Sequence, residues 1–263
     1  MLPRLIARVL FLELYIQYAC AQSIRSIFLF KDVMKSNTTA LKTSGFNTLI
    51  MFGVGILDNG DIKYYSNTPG SEDVVIASGG EYVGGDALAE KVRSFKEGET
   101  GVDRLEISMN SQHVQDLMTS PVPLSSTCHG GLWKDVGEMG YKYTIAPYTN
   151  GNFWVSVTSQ LNSGLQEADF LVDRVYLQCY DGGANNDPGN WQSGLGIKVV
   201  PLLWVVNDSK PVYGVTASQA QSRFAGWHQR SPLGGGGYWN DYDIEKMGLS
   251  YADYGKVLTT VFP

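Results

Sequence analysis

Acidic and aromatic side chains recur where short apolar runs of this 263-residue sequence end. Asp181 follows the run that ends at Tyr180, and Asp241 follows Trp239 in the same way, whereas Glu106 stands inside a run. A carboxyl group held on a rigid strand can act as a general acid or base, and a flat aromatic ring can pack against a sugar or fill a core. The candidate catalytic residues are therefore Glu106 and Asp181.

Nucleophilic and metal chemistry have little support in the sequence. Its three histidines have no serine or cysteine at the spacing of a catalytic triad. Cys128 and Cys179 lack metal-ligand spacing, and the apolar strand pattern around Cys179 predicts a buried thiol. The glycine run 234–237 precedes a strand instead of joining a strand to a helix, so it does not match a phosphate-binding loop. No cofactor and no metal site are predicted.

The apolar runs alternate with stretches of helical periodicity, which is typical of βα units around a parallel sheet. No internal repeat or low-complexity linker interrupts the pattern, so residues 22–263 are predicted to form one domain. Helices are predicted near residues 87–95, 132–139, 153–170, 217–229 and 251–262. Strands are predicted at residues 26–31, 47–54, 104–109, 143–148, 174–180, 197–205 and 236–241.

Side-chain alternation predicts which residues of a strand face the barrel interior. Along residues 105–110 the apolar side chains would face the helices, which leaves Glu106 inside. Along residues 175–180 the same rule directs Gln178 and Tyr180 inward. Polar and aromatic groups would then meet at the C-terminal ends of the strands, where (β/α) barrels carry their active sites. For Glu106, simply filling the interior is an equally good interpretation.

Four segments, taken in order, resemble strands of glycoside hydrolase family 18, the chitinase-like (β/α)8 barrels. Residues 46–54 are similar to the family's second strand, 105–108 to its third, 178–181 to its sixth and 237–243 to its eighth. The resemblance spans roughly residues 24–263. It implies the α/β fold class and a (β/α)8-type TIM barrel.

The resemblance also implies a sugar site. Trp239 would form its floor, and Tyr180 and Asp181 would face the substrate. The implied partner is a carbohydrate, either an N-acetylglucosamine polymer or a glycan that contains this sugar. The candidate ligand-binding residues are Trp239, Tyr180, Asp181, Gln178, Tyr148 and Asp241.

The sequence departs from the family at the catalytic acid. The family carries this acid on its fourth strand, at the end of a D-x-x-D-x-D-x-E motif, and no such motif occurs here. Pro121 and Pro123 argue against a buried central strand between Met109 and Tyr143. Seven strands are thus predicted where the fold has eight. Either the lineage has lost the acid-bearing strand, or the sequence is a faulty splice product or gene prediction.

Three functions remain open, and so does the question of whether the protein is an enzyme. The favoured one is a chitinase-like barrel that binds glycans with impaired or absent hydrolysis, because protonation of the leaving oxygen needs a positioned carboxylic acid. The second is an active glycoside hydrolase that uses other carboxylates, Glu106 with Asp181, Asp241 or Asp243. The third is a structural or interaction protein without ligand binding.

The first 21 residues have the pattern of a secretory signal peptide. Arg4 is basic, residues 9–18 are largely apolar, and Ala19-Cys20-Ala21 fits a cleavage site. Arg8 and Glu13 interrupt the pattern, so an uncleaved N-terminal helix is the alternative. The prediction is a secreted, extracellular protein without a membrane association after cleavage. The net charge of −6 gives no electrostatic reason to expect a nucleic-acid partner.

Overall fold

The computed structural model of the protein describes residues 22–109 and 142–263. Three predictions lie outside these residues: the signal peptide, the helix near 132–139 and the missing fourth strand. Cys128 lies outside them as well.

All seven predicted strands are confirmed, and together they form one parallel series in the order β6-β2-β1-β11-β9-β8-β7. Within the described residues the two end strands of this series do not pair with each other, so the sheet is not closed there. The chain between these end strands is the segment 110–141. The strands are β1 (Ile24–Leu29), β2 (Thr48–Ile56), β6 (Arg104–Met109), β7 (Tyr143–Ile145), β8 (Val172–Gln178), β9 (Val199–Val205) and β11 (Gly235–Trp239).

An antiparallel extension of β2 was not foreseen in the sequence. It continues the sheet outward through β3 (Ile62–Tyr64), β4 (Val74–Ser78) and β5 (Glu81–Tyr82). A further short strand, β10 (Gly214–Val215), pairs with the end of β9.

Helices follow most of the parallel strands and begin at residues that cap them. Asp187 and Thr216 accept hydrogen bonds from backbone amides at two of these helix starts. The helix predicted at 153–170 ends at Leu161, since Gly164 then adopts a left-handed φ of 77°. The helices are α1 (Thr38–Thr43), α2 (Asp86–Ser94), α3 (Gly151–Leu161), α4 (Pro188–Leu195), α5 (Ala217–Arg230), α6 (Asp241–Lys246) and α7 (Tyr251–Val261).

The predicted alternation of side chains is confirmed by two separate cores. The outer core, between sheet and helices, contains Val175, Leu177 and Cys179. The inner core lies inside the barrel and contains Tyr176 and Tyr180 from the same stretch of chain. Burial raises the pKa of the Cys179 thiol to about 12, which fits the predicted inert, buried cysteine.

The glycine run allows β11 to approach its neighbours closely. A Cβ atom on Gly235 would lie 1.9 Å from the carbonyl oxygen of Ile24, and one on Gly237 would lie 2.1 Å from Ser26 Oγ. Both contacts are far shorter than real carbon contacts, so only glycine fits between β11 and β1. The run is therefore a packing feature of the sheet.

Among residues 22–109 and 142–263, no helix is long and apolar enough to cross a membrane. The same residues contain no cluster of three or more His, Cys, Asp or Glu side chains arranged to hold a metal ion.

Candidate functional site

A cavity of about 230 Å³ opens at the C-terminal ends of β7 and β8. Its lining brings together four of the six predicted ligand-binding residues with one glycine. The lining residues are Tyr148, Gln178, Tyr180, Asp181 and Gly182.

Backbone and side-chain contacts hold this cavity in shape. The Gln178 amide donates to the carbonyl oxygen of Ala146 at 2.8 Å. Asn186 donates to the carbonyl oxygens of Tyr148 and Gln178, at 2.9 and 2.8 Å, which ties the loop after β8 to β7. The ring of Tyr148 lies over Gly182, where a Cβ atom would be only 3.1 Å from the ring. A glycine at this position therefore leaves the space that the Tyr148 ring occupies.

Tyr180 forms the inner wall of the cavity. Its side chain is 8% exposed, and its ring meets the ring of Trp204 edge-on with centroids 5.6 Å apart. Burial raises the pKa of the Tyr180 phenol above its ordinary value, with smaller contributions from Cys179 and Asp181. The phenol therefore stays protonated and can donate a hydrogen bond to a ligand.

Asp181 lies at the mouth of the cavity and forms an ion pair with Lys210 from the loop after β9. Both side chains are partly exposed, at 39% for Asp181 and 50% for Lys210. Asn207 is buried and accepts a hydrogen bond from the Lys210 amide at 2.7 Å, which fixes the loop. Such an exposed pair stabilises the fold little, so its charges remain available to a polar ligand.

Trp239 does not line this cavity but belongs to an aromatic wall beside it. It pairs in register with Trp204 on the neighbouring strand, and Trp204 in turn contacts Tyr180. The Trp239 ring is partly buried, with ring centroids of Phe30 at 5.4 Å and Phe52 at 4.9 Å. The wall thus runs from β8 across β9 and β11 to the ends of β1 and β2.

Trp204 is not among the candidate site residues, because a tryptophan there is as often a core residue as a sugar platform, yet the alternation of Val200, Leu202 and Trp204 directs it inward by the rule that placed Tyr180. Phe30 and Lys210 were also missed. Phe30 follows the end of β1, and Lys210 follows a tight loop, so neither belongs to a regular alternation.

Glu106 faces the interior, as predicted, but lies in a cluster of charged and hydroxyl side chains. Arg104 Nε lies 2.8 Å from Glu106 Oε1 and Arg174 Nη1 lies 3.3 Å from it. The Tyr176 hydroxyl donates to the same oxygen at 2.9 Å, and the Thr144 hydroxyl donates to Oε2 at 3.1 Å. The arrangement neutralises a buried carboxylate and supports the structural interpretation of this residue.

The surroundings of the cluster add further charge. Arg104 also donates two hydrogen bonds to Asp173, at 2.7 and 3.3 Å. Burial lowers the pKa of Arg104, but hydrogen bonding to Asp173 and the charge of Glu106 outweigh this effect and raise it. Both acceptors of Arg104 thus stabilise its charged form.

Asp241 and Asp243 follow the end of β11, but neither side chain is exposed there. Asp241 is fully buried and Asp243 is 3% exposed. Asn240 caps α6 and accepts a hydrogen bond from the amide of Asp243 at 3.0 Å, so both aspartates belong to a helix start packed against the sheet. Asp243 Oδ2 accepts the indole N–H of Trp204 at 2.7 Å, which orients that ring.

The Asp241 carboxylate does not line the cleft cavity and has partners of its own. It accepts the backbone N–H of Phe30 at 2.7 Å and the Ser36 hydroxyl at 3.3 Å. Burial raises its pKa to about 7, although the Phe30 amide and the charge of nearby Lys31 act in the opposite direction. The structure therefore does not bring Asp241 together with the other candidate ligand residues.

Asp241→Asn is expected to remove a loss of stability that the parent protein suffers as the pH rises. The pKa of Asp241 is about 7 in the folded state and about 3.9 in an unfolded chain. The parent should therefore lose stability relative to the variant between these values, by up to roughly 1.4 kcal/mol per pH unit, and the difference should be constant above them. Urea unfolding at several pH values measures this difference.

The control is Asp253→Asn, an exposed position that loses the same charge. Its stability profile should run parallel to that of the parent. The expectation fails if Asp241→Asn and the parent show the same dependence of unfolding free energy on pH. Both variants leave unchanged the other titratable groups that interact with the Asp241 carboxylate, which are Lys31, Glu245, Tyr64 and Tyr251.

The parallel strand series, the helices that follow its strands and the cleft at the C-terminal strand ends are features of a (β/α) barrel. No family model and no curated protein sequence matches the chain. Solved structures do match it, and they show that the chain has the fold of glycoside hydrolase family 18.

Three of these solved structures illustrate the similarity. A family 18 chitinase from Crocus vernus is 10% identical with a TM-score of 0.56, over 90% of this chain and 98% of that one. A GH18 chitinase from Pseudoalteromonas aurantia is 12% identical with a TM-score of 0.53, over 91% and 100%. The xylanase-alpha-amylase inhibitor protein XAIP-I, solved with trehalose, is 12% identical with a TM-score of 0.52, over 92% and 100%.

Proposed function

We propose that the cleft binds a carbohydrate that contains N-acetylglucosamine and that the protein hydrolyses this ligand slowly or not at all. The observation that carries the proposal is the cavity in which Tyr148, Gln178, Tyr180 and Asp181 converge next to the aromatic wall. We further propose that the protein acts outside the cell, for which the N-terminal pattern of residues 1–21 is the support.

The groups around the cavity suit an acetamido sugar. The protonated phenol of Tyr180 can donate to the acetamido carbonyl, and Asp181 can accept from the acetamido N–H or a sugar hydroxyl. Trp239 offers a partly exposed ring for the apolar face of the sugar. One protein of similar fold was solved with trehalose, which supports sugar binding by this architecture in general.

Weak hydrolysis is proposed because, within residues 22–109 and 142–263, each of the four candidate acids already has a partner. Glu106 is paired with two arginines, and Asp181 is paired with Lys210. Asp241 and Asp243 are buried and accept hydrogen bonds from backbone amides or the Trp204 indole. A general acid needs a carboxyl proton that can reach the glycosidic oxygen.

Trp239→Ala is expected to weaken the binding of N-acetylglucosamine oligomers by roughly tenfold, since an aromatic contact contributes about 0.5–1.5 kcal/mol beyond its buried area. Tyr180→Phe keeps the ring but removes the hydroxyl that donates to the ligand. It should therefore also weaken binding, through the loss of that one hydrogen bond. Isothermal titration calorimetry with a chitin tetramer measures both effects.

Trp154→Ala is the matched control, because Trp154 lies on α3 and packs against the outer core. It should bind the oligomer as the parent does. The site is misplaced if Trp239→Ala and Tyr180→Phe both retain the parent affinity, and the proposed function fails if the parent binds no oligomer.

A further inference from the structure

A second cavity, of about 420 Å³, lies on the outside of the barrel between α5 and the loop after β8. It shares no lining residue with the cleft cavity. Its volume lies in the range of small-molecule sites, roughly 300–1,000 Å³. The lining consists mostly of polar residues: Ala184, Asn185, Asn186, Asp187, Ser222, Arg223, Gly226, Trp227 and Arg230.

One helix face supplies the cationic side of this groove. Residues three or four positions apart lie on the same face of a helix. On α5 this face carries Arg223, Gly226, Trp227 and Arg230. The guanidinium carbon of Arg223 lies 5.0 Å from the centre of the Trp227 ring. This cation–π contact places the Arg223 guanidinium beside the Trp227 ring in the lining of the groove.

Arg223 is an incompletely compensated cation. Its guanidinium is half-buried and donates to the carbonyl oxygen of Cys179 at 3.3 Å. In the described part of the chain no carboxylate forms an ion pair with it. Burial lowers the pKa of Arg223, and the Cys179 thiol opposes this effect. A guanidinium carries five N–H donors, so most of those of Arg223 have no acceptor among residues 22–109 and 142–263, and they lie beside an open groove.

The charges around the groove favour an anion. Arg230 forms an ion pair with Asp187 at 3.5 Å, and its side chain is 62% exposed. Two arginines and one aspartate leave the lining with a charge of +1, in a chain whose net charge is −6. A carboxylate can bind a guanidinium through two parallel hydrogen bonds, and the side-chain amide of Asn185, which also lines the groove, can bind a hydroxyl group.

We propose that this groove binds an acidic saccharide of the hexuronate type. A carboxylate of the sugar pairs with Arg223, a second interaction comes from Arg230, and the polar rim formed by Asn185 and Ser222 binds hydroxyl groups. This inference does not depend on the function proposed for the cleft.

The test is calorimetric titration of the full chain with a galacturonate trimer, a ligand without acetamido groups, at low ionic strength. The parent should bind it. Arg223→Gln should bind at least roughly tenfold more weakly, because a hydrogen bond to a charged group contributes about 1.5–3 kcal/mol. The methyl ester of the same trimer should not bind, since it lacks the charge.

Lys256→Gln is the matched control, because it removes one positive charge from an exposed position on α7. It should bind the acid as the parent does. Arg230→Gln changes an exposed side chain and should weaken binding even if Arg223→Gln does not fold. The proposal is overturned if the parent does not bind the acid, if the ester binds equally well, or if Arg230→Gln binds like Lys256→Gln.

Discussion

Incubated with chitin oligomers at about pH 4 to 7, the protein is expected to release products at a rate about 10²–10⁴-fold below that of a chitinase with a positioned general acid. The reason is the state of the carboxylates near the cleft. Glu106 interacts with Arg104 and Arg174, and Asp181 pairs with Lys210. Neither arrangement presents a carboxyl proton to a glycosidic bond.

A chromatographic assay of oligomer products measures the rate, with the Crocus vernus chitinase as the positive control. Turnover of roughly 1–10³ s⁻¹, the usual range for enzymes, would contradict the expectation. In that event Glu106→Gln and Asp181→Asn distinguish the two candidate acids, because only the loss of the true acid abolishes turnover. Binding measured in the same samples separates a failed ligand site from a missing catalytic group.

Glu106→Gln is expected to reduce the free energy of unfolding by about 2–4 kcal/mol. The amide keeps the shape of the side chain and can still accept the Tyr176 hydroxyl, but it leaves Arg104 and Arg174 facing an uncharged group. Breaking one side of a buried ion pair costs about 3–5 kcal/mol, and partial exposure of the two arginines reduces this figure. Urea unfolding at neutral pH measures the change.

Glu167→Gln serves as the matched control, because it removes the same charge from an exposed position outside the cluster. Its unfolding midpoint should stay within experimental error of the parent value. If Glu106→Gln has the parent's midpoint as well, the cluster is not a stabilising ion-pair network. A double variant that also replaces Arg174 by Met should recover part of the lost stability, since it removes one of the uncompensated cations.

The parallel strands and their inward residues were predictable because alternation is a local property. Successive side chains of a strand point to opposite faces, even where both faces are buried. Leu177 thus faces the helices, and its neighbour Tyr176 faces the interior. The same rule places Gln178 and Tyr180 at the cleft. Tyr148 joins them because the C-terminal ends of parallel strands meet at one edge of the sheet.

Asp241 illustrates where local reasoning fails. Its position just after a strand matches that of Asp181, yet Asn240 starts a helix there and turns the carboxylate toward the amide of Phe30. The capping residue was visible in the sequence, but the partner more than two hundred positions away was not. Burial of Asp241, and the raised pKa that follows from it, depend on that distant contact.

The sequence by itself determined where the strands lie, which faces of each strand point inward and outward, and which residue types are present at the cleft. These features depend on neighbours one to four positions apart. The tertiary structure decided which charges meet. Glu106 has partners from three strands, Asp181 is paired with Lys210 from a loop, and Arg223 has no carboxylate partner among the residues that the structure describes. Except for Arg104 beside Glu106, these partners lie far from their carboxylates in the sequence, and a carboxylate's chemistry is set by its partners and by its burial.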